Sequence, residues 1–67
     1  MRYNIELKNN GGGFWSFALA ARIGGTVVST VSNFDGINDL AIIEFDDVNE
    51  NKLGTILDAD ANVIEYR

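Results

Sequence analysis

The sequence predicts an α+β domain in which a four-stranded antiparallel sheet carries two helices on one face. Two observations support this class. Short segments that alternate apolar and polar residues, typical of half-buried strands, are interleaved with two segments of helical spacing. A composition of 46% hydrophobic and 22% charged residues is that of a globular chain. With 67 residues, we expect residues 1–67 to form one small domain.

The first strand is predicted over residues 2–8, where Tyr3, Ile5 and Leu7 alternate with polar residues. The run Asn9-Asn10-Gly11-Gly12-Gly13 cannot continue a strand, and it opens the next element.

The first helix is predicted over residues 14–23, followed by a Gly-Gly pair that suits a helix C-terminus. Its apolar residues form two adjacent stripes, Phe14, Phe17, Ala18 and Ala21 in one and Trp15, Leu19 and Ile23 in the other. We expect most of its surface to be covered, either by the sheet and the second helix or by a partner chain.

Residues 26–34 and 38–46 predict the second and third strands, because both runs are rich in β-branched or apolar residues. Asp35-Gly36 between them indicates a hairpin. The apolar run 40–43 is typical of a central strand. The second strand should lie at an edge without a charge or proline to block pairing, so we expect a dimer seam that includes Val28, Thr30 and Ser32.

A second helix is predicted over residues 48–58, with Asp46 or Asp47 as its N-cap and Glu50 in its first turn. The last strand is predicted over 62–67, with Val63 and Glu65 on one face and Ile64 and Tyr66 on the other. The order β-α-β-β-α-β predicts the ferredoxin-like, or split βαβ, topology, in which the first and third strands are central.

Charge is divided unevenly along the chain. Residues 1–34 hold three cations and one carboxylate, a net of +2, and residues 35–67 hold two cations and nine carboxylates, a net of −7. Five scattered cations do not supply the basic surface that nucleic acids need, so we expect no nucleic-acid partner. The acidic half could attract a basic partner protein, or it could simply maintain solubility.

The absence of Cys and His removes most common chemistries. It excludes disulfides, Cys/His zinc sites, a Ser-His-Asp triad and a thiol nucleophile. Any catalysis would rest on carboxylates and Tyr3 or Tyr66, so we expect no enzyme and no cofactor. The run from Asp58 to Asn62 begins like a calcium loop, but Val63 stands where that loop needs glycine, and we expect no metal site. Capping explains the acidic cluster at 46–50 without chemistry.

No apolar segment resembles a signal peptide or reaches the roughly 20 residues of a membrane span. We therefore expect a cytoplasmic protein that does not bind membranes.

The glycine-rich turn at Asn10, Gly11, Gly12 and Gly13 is the main candidate binding site. A helix N-terminus presents free N–H groups and a partial positive charge to an anion, and glycines allow close approach. Ser16 breaks a dinucleotide fingerprint, and no Gly-Lys-Ser/Thr follows for a P-loop. The alternative is a flexible turn that binds nothing.

The segment from Asn10 to Trp15, the run LAARIGGTVVSTV and the ending LGTILDADANVIEYR together resemble the ACT domain, a small regulatory module that typically binds amino acids. Gly12 stands where the family has Pro, and Trp15 where it has Leu. The resemblance implies a ligand site at Asn10 and the backbone of Gly11, Gly12 and Gly13, located between the two copies of a homodimer.

Two alternatives remain open at this point. Trp15 could line the ligand or the interface, or Phe14 and Phe17 could fill the core while Trp15 covers the sheet edge. The chain could also be a small acidic interaction protein, such as an inhibitor or a phage-type modulator, that docks on a basic partner.

Overall fold

A computed structural model describes residues 2–46 and 50–67. Six elements follow one another: β1 (Tyr3–Asn9), α1 (Gly12–Ile23), β2 (Thr26–Val31), β3 (Asp39–Phe45), α2 (Glu50–Ala59) and β4 (Val63–Tyr66). The strands form one antiparallel sheet in the order β2-β3-β1-β4. The predicted α+β class is confirmed, as are the central positions of β1 and β3 and the edge position of β2. Within the described ranges, no helix has the length and apolar character needed to cross a membrane.

The core lies between one face of the sheet and the two helices. Ile5 pairs with Ile43 and Leu7 with Ala41 across the central strands, and these side chains are buried. Both helices contribute to the same cluster, which places them on one face of the sheet. Its buried members are Ile5, Leu7, Leu19, Ala20, Ala41, Ile43, Phe45 and Leu57.

The first helix buries the predicted stripe of Trp15, Leu19 and Ile23 and leaves the other stripe exposed. Ser16, Leu19 and Ala20 are its buried residues, whereas Phe14 is 92% exposed and Phe17 63%. The alternative that placed both phenylalanines in the core is therefore wrong. The small residues Ser16 and Ala20 lie one turn apart on the buried face, so the helix runs close to the sheet and leaves no room there for a phenyl ring.

The helix-to-strand connection shows the same close approach. A Cβ atom added at Gly25 would lie 2.6 Å from Cγ2 of Ile43 and 2.7 Å from Cδ1 of Phe45. Glycine is required at this position because the backbone touches two core side chains of β3.

Irregular pairing interrupts the predicted alternation in both outer strands. In β2 the register shifts between Val27 and Ser29, so Val28 is an extra residue and does not continue the alternation toward Thr30. The strand also ends at Val31, which leaves Ser32 in the following turn.

In β4, Tyr66 lies opposite Leu7, Glu65 opposite Lys8 and Val63 opposite Asn9, with a shift between the last two pairs. Val63 consequently packs against the core, while Glu65 lies opposite Lys8 on the other face of the sheet. The prediction that Val63 and Glu65 share a face is wrong, because the irregularity inserts one residue between them.

The β2–β3 connection is a loop over residues 32–38 and not a two-residue turn. Asp35 organises it, since its Oδ1 accepts N–H bonds from Ile37 at 3.0 Å and Asn38 at 2.7 Å. The hairpin itself is present, but β2 ends three residues before the predicted boundary because the loop folds around this carboxylate. Of the two predicted N-caps of α2, Asp46 is exposed in the bend that follows β3, and Asp47 lies outside the described residues.

Candidate functional site at the start of the first helix

The turn between β1 and α1 is built around Asn9. Its side chain is completely buried, and its Nδ2 donates hydrogen bonds to the carbonyl oxygens of Leu7 at 3.0 Å and Asp39 at 3.4 Å. Its Oδ1 accepts bonds from the N–H groups of Gly11 at 3.2 Å and Gly12 at 3.3 Å. One carboxamide therefore holds two strands and the start of the helix in a fixed arrangement.

Our sequence reasoning missed Asn9, although two features of the sequence point to it. It continues the odd-numbered face of Tyr3, Ile5 and Leu7, so alternation places it on the buried side of β1. Asparagine directly before a flexible run is also a typical residue for a side-chain-to-backbone turn.

The predicted ligand residue Asn10 is exposed. Its backbone N–H donates to the carbonyl oxygen of Asn62 at 3.0 Å, which ties the turn to the start of β4. Its side chain makes no hydrogen bond with the described part of the chain.

Asn9 leaves part of the helix N-terminus open. The first N–H groups of any helix lack partners within the helix. Of these, Gly11 and Gly12 are bonded to Asn9, whereas Gly13 and Phe14 have no partner outside the helix among residues 2–46 and 50–67. The first turn holds no acidic side chain. An anion that reached this end of α1 would meet two N–H donors.

The backbone around these donors is open to solvent. Gly12 has φ +81°, a left-handed conformation that favours glycine. Apart from the chain neighbours and the adjacent helix backbone, no atom of the described residues lies within 4 Å of a Cβ built at Gly12 or Gly13. Gly11 is different, because a Cβ there would overlap the indole ring of Trp15. The turn thus rests on the indole ring on one side and is accessible on the other.

Trp15 is half-buried and packs against the core. Its Nε1 donates to Oδ2 of Asp60 at 3.1 Å, and Oδ1 of the same carboxylate accepts the N–H of Asn62 at 2.9 Å. Within the run from Asp58 to Asn62 that begins like a calcium loop, both oxygens of the Asp60 carboxylate therefore accept hydrogen bonds of the fold. No group of three or more His, Cys, Asp or Glu side chains in the described chain could hold a metal ion.

The structure brings Gly11, Gly12, Gly13 and Trp15 together at the start of α1. Val28, Thr30 and Ser32 lie apart from them, on edge strand β2 and in the loop that follows it. The predicted residues therefore form two separate regions, a turn and an edge.

A concavity of about 420 Å³ lies on the face of the sheet that the helices leave uncovered, away from the β1–α1 turn. Nζ of Lys8 is 3.1 Å from Oδ2 of Asp35 and 5.8 Å from the centre of the Phe34 ring. The backbone N–H groups of Asn38 and Ile37, together with the Lys8 ammonium, hold the pKa of the Asp35 carboxyl well below its usual range. Nε of Arg67 lies 3.2 Å from Oε2 of Glu6. Most charges here are paired within the chain.

One of the two tyrosines that could have served chemistry makes a structural contact. The Tyr66 hydroxyl donates to Oδ1 of Asp58 at 3.0 Å, which connects β4 to α2. This bond raises the pKa of Tyr66, the opposite of what a tyrosine base requires. Tyr3 is 39% exposed at the start of β1.

The chain matches no protein family, no curated protein and no solved structure.

Proposed function

We propose that this chain is a non-enzymatic, ACT-like regulatory domain that binds a small anion, such as the carboxylate of an amino acid, at the start of α1. The observation that carries the proposal is the turn fixed by Asn9, in which the N–H groups of Gly13 and Phe14 have no partner among the described residues outside the helix and lie beside open glycine backbone. The element order and the sheet order β2-β3-β1-β4 support the finer description as a ferredoxin-like fold.

Electrostatics favour an anion at this end of the molecule. A helix N-terminus carries roughly half a positive elementary charge. Residues 1–34, which include the turn, have a net charge of +2, whereas the rest of the chain has −7. The turn thus belongs to the less acidic half of the sequence, and the nearby Asp60 carboxylate accepts the N–H of Trp15.

Two neighbouring side chains suit the other parts of an amino acid. The exposed Asn10 carboxamide offers an oxygen that can accept bonds from an ammonium group. The Phe14 ring, 92% exposed, offers apolar surface to a ligand side chain. The site would thus recognise a carboxylate with backbone donors and distinguish between amino acids by contact with Asn10 and Phe14.

Thermal unfolding against the twenty amino acids and common small anions tests the proposal. A ligand at about 100 times its Kd adds roughly 2.7 kcal/mol to the unfolding free energy, a shift of many degrees in so small a domain. We expect a selective increase in Tm for one compound or a few related ones.

Two matched variants localise the effect. Phe14→Glu places a carboxylate in the first helical turn, so it should remove the ligand-induced shift while raising the Tm of the free protein. Phe17→Glu makes the same chemical change nearly one turn further along and should keep the shift. A panel without any selective shift, or a shift that survives Phe14→Glu, would refute the site.

A second candidate function rests on the acidic half of the chain. Asp46 and Asp58 are exposed there, at opposite ends of the α2 region. A module that docks on a basic protein would show partner binding that weakens as salt rises. Pull-down at low and high salt, with no response to the small-molecule panel, would favour this function.

A further inference from the structure

Two positions in the chain combine a reactive side-chain carbonyl with a following glycine. The backbone nitrogen of the next residue can attack the side-chain carbonyl carbon of asparagine or aspartate, and glycine hinders this attack least because it has no Cβ. Asn10 is the only asparagine in the sequence that precedes a glycine, and Asp35 is the only aspartate that does. The structure distinguishes between the pairs Asn10-Gly11 and Asp35-Gly36.

Asp35 is held in an unreactive form. Its Oδ1 accepts the N–H groups of Ile37 and Asn38, and its Oδ2 lies 3.1 Å from Nζ of Lys8. The N–H groups of Asn38 and Ile37, together with the Lys8 ammonium, hold the pKa of the Asp35 carboxyl well below its usual range, so it is ionised at neutral pH. Ring closure expels the hydroxyl group of a neutral carboxyl, which an ionised carboxylate lacks.

The side chain of Asn10 is unrestrained. It is exposed and makes no hydrogen bond with the residues that the structure describes, whereas its backbone N–H is tied to the carbonyl oxygen of Asn62 at 3.0 Å. The residue after it must be glycine, because a Cβ at Gly11 would overlap the indole ring of Trp15. The packing of the turn therefore places the least hindered nucleophile beside a free carboxamide.

We infer that Asn10 is a site of spontaneous deamidation. Hydroxide takes the N–H proton of Gly11, the nitrogen bonds to Cγ of Asn10, and the Cγ–Nδ2 bond breaks. The leaving group takes a proton from water, which releases ammonia and returns the hydroxide. One water then opens the five-membered imide. Opening at Cγ leaves aspartate, and opening at the backbone carbonyl carbon leaves isoaspartate, so each event consumes one water and releases one ammonia.

Asn9 controls how often this reaction starts. Its Oδ1 accepts the N–H of Gly11 at 3.2 Å and that of Gly12 at 3.3 Å, so the attacking nitrogen is held by an oxygen that serves two donors. Both distances are long for N–H···O bonds. The Gly11 nitrogen becomes available when this turn opens locally, which requires no unfolding of the core.

Timed incubation of the full chain at neutral and mildly alkaline pH tests the site. Mass spectrometry of the tryptic fragment 9–22 should show the mass gain of an amide-to-acid change, assigned to residue 10 by fragmentation. Enzymatic methylation should detect isoaspartate in the same fragment. The rate should rise with pH, because hydroxide removes the Gly11 proton. Asn10→Gln should abolish the mass gain, since a longer side chain closes a less favourable ring.

Two further variants test the control by Asn9. Asn9→Ala releases the Gly11 N–H and should raise the rate at Asn10 about fivefold, the effect of losing one ordinary hydrogen bond. Gly25→Ala is the matched control, because it destabilises the contact with β3 without touching the turn, and the rate should stay within about twofold of the original. Circular dichroism under the incubation conditions checks that each variant is folded.

The isolated peptide 9–22 provides the chemical reference. Deamidation of this peptide while the full chain keeps Asn10 intact over the same period would overturn the inference. Isoaspartate that forms at Asp35 as fast as at Asn10, or equal acceleration by Asn9→Ala and Gly25→Ala, would overturn it as well.

Deamidation adds one negative charge directly before α1 and so would repel an anion from the N–H groups of Gly13 and Phe14, a consequence that rests on the proposed function. A chain that deamidates at Asn10 without any response to the ligand panel would refute only the anion site. A ligand response in a chain that does not deamidate would refute only the modification.

Discussion

The indole N–H of Trp15 donates to the Asp60 carboxylate at 3.1 Å and so joins α1 to the turn before β4, across 45 positions of sequence. The other oxygen of this carboxylate accepts the N–H of Asn62, whose carbonyl oxygen in turn accepts the N–H of Asn10. The β1–α1 turn, the first helix and the last strand are therefore held together by one chain of hydrogen bonds. These bonds hold the β1–α1 turn, which forms the candidate site, in a fixed position relative to β4.

Breaking the Trp15–Asp60 bond should destabilise the domain. We expect Trp15→Phe, which keeps most of the ring but removes the N–H group, to cost about 1 kcal/mol. Asp60→Ala should cost more because it also frees the Asn62 N–H. In a double-mutant cycle followed by urea denaturation and circular dichroism, we expect a coupling of about 0.5–1.5 kcal/mol. Strict additivity of the two substitutions would show that the bond does not contribute.

Alanine substitution should lower the unfolding free energy far more at Asn9 than at the adjacent Asn10. Asn9→Ala removes four hydrogen bonds from a buried position and should lower the unfolding free energy by about 2–3 kcal/mol. Asn10→Ala alters an exposed side chain and should change it by less than about 0.5 kcal/mol. Asn9→Asp should also destabilise, because a carboxylate cannot donate to Leu7 and Asp39. Equal costs for the two alanine variants would contradict the description of the turn.

Two glycine-to-alanine substitutions should change the stability of the domain in opposite directions. Gly25→Ala forces a methyl group against Ile43 and Phe45 and should cost about 1–3 kcal/mol. Gly13→Ala adds a methyl group to open space within α1 and should stabilise by about 0.5–1 kcal/mol. Thermal unfolding of both variants provides the comparison. A neutral Gly25→Ala would indicate that α1 does not approach β3 as closely as described.

Tyr66 should titrate above its ordinary value, since Asp58 accepts a bond only from the protonated hydroxyl. The folded pKa is raised, so this contact contributes stability below about pH 10 that is lost as the pH rises through the folded pKa. Phenolate absorbance in a Tyr3→Phe background isolates Tyr66. Asp58→Ala should lower its midpoint, and an unchanged midpoint would show that the contact is absent in solution.

The sequence predicted the order of elements because its strands alternate or are rich in β-branched and apolar residues, whereas its helices have apolar residues at helical spacing. It did not identify the buried face of α1, because periodicity marks apolar stripes without showing which one approaches the sheet. The small residues Ser16 and Ala20 settle that question, together with the contact of Gly25 with β3. The bulges at Val28 and Ile64 depend on how each strand pairs with its neighbour. The residues of one strand do not specify that pairing by themselves.

The candidate site was located in part by its glycines. Their pattern indicated the turn and the helix N-terminus behind it. The donors that remain available depend on the Asn9 side chain, whose buried position becomes clear only once β1, β3 and the turn are assembled. Gly12 and Gly13, which the sequence placed in the turn before a helix beginning at residue 14, are instead the first two residues of α1, and Gly12 carries the positive φ.

Amide chemical shifts during titration with amino acids and small anions test the binding site most directly. Nitrogen-15 correlation spectra should show saturable shifts at Gly13 and Phe14 for the same compounds that raise the Tm, since neither N–H group has a partner outside the helix in the described part of the chain. Gly24 and Gly36, at the end of α1 and in the β2–β3 loop, provide internal controls and should not move. Saturable shifts confined to the helix start would support the account. Shifts that are absent, or spread evenly over the glycines, would contradict it.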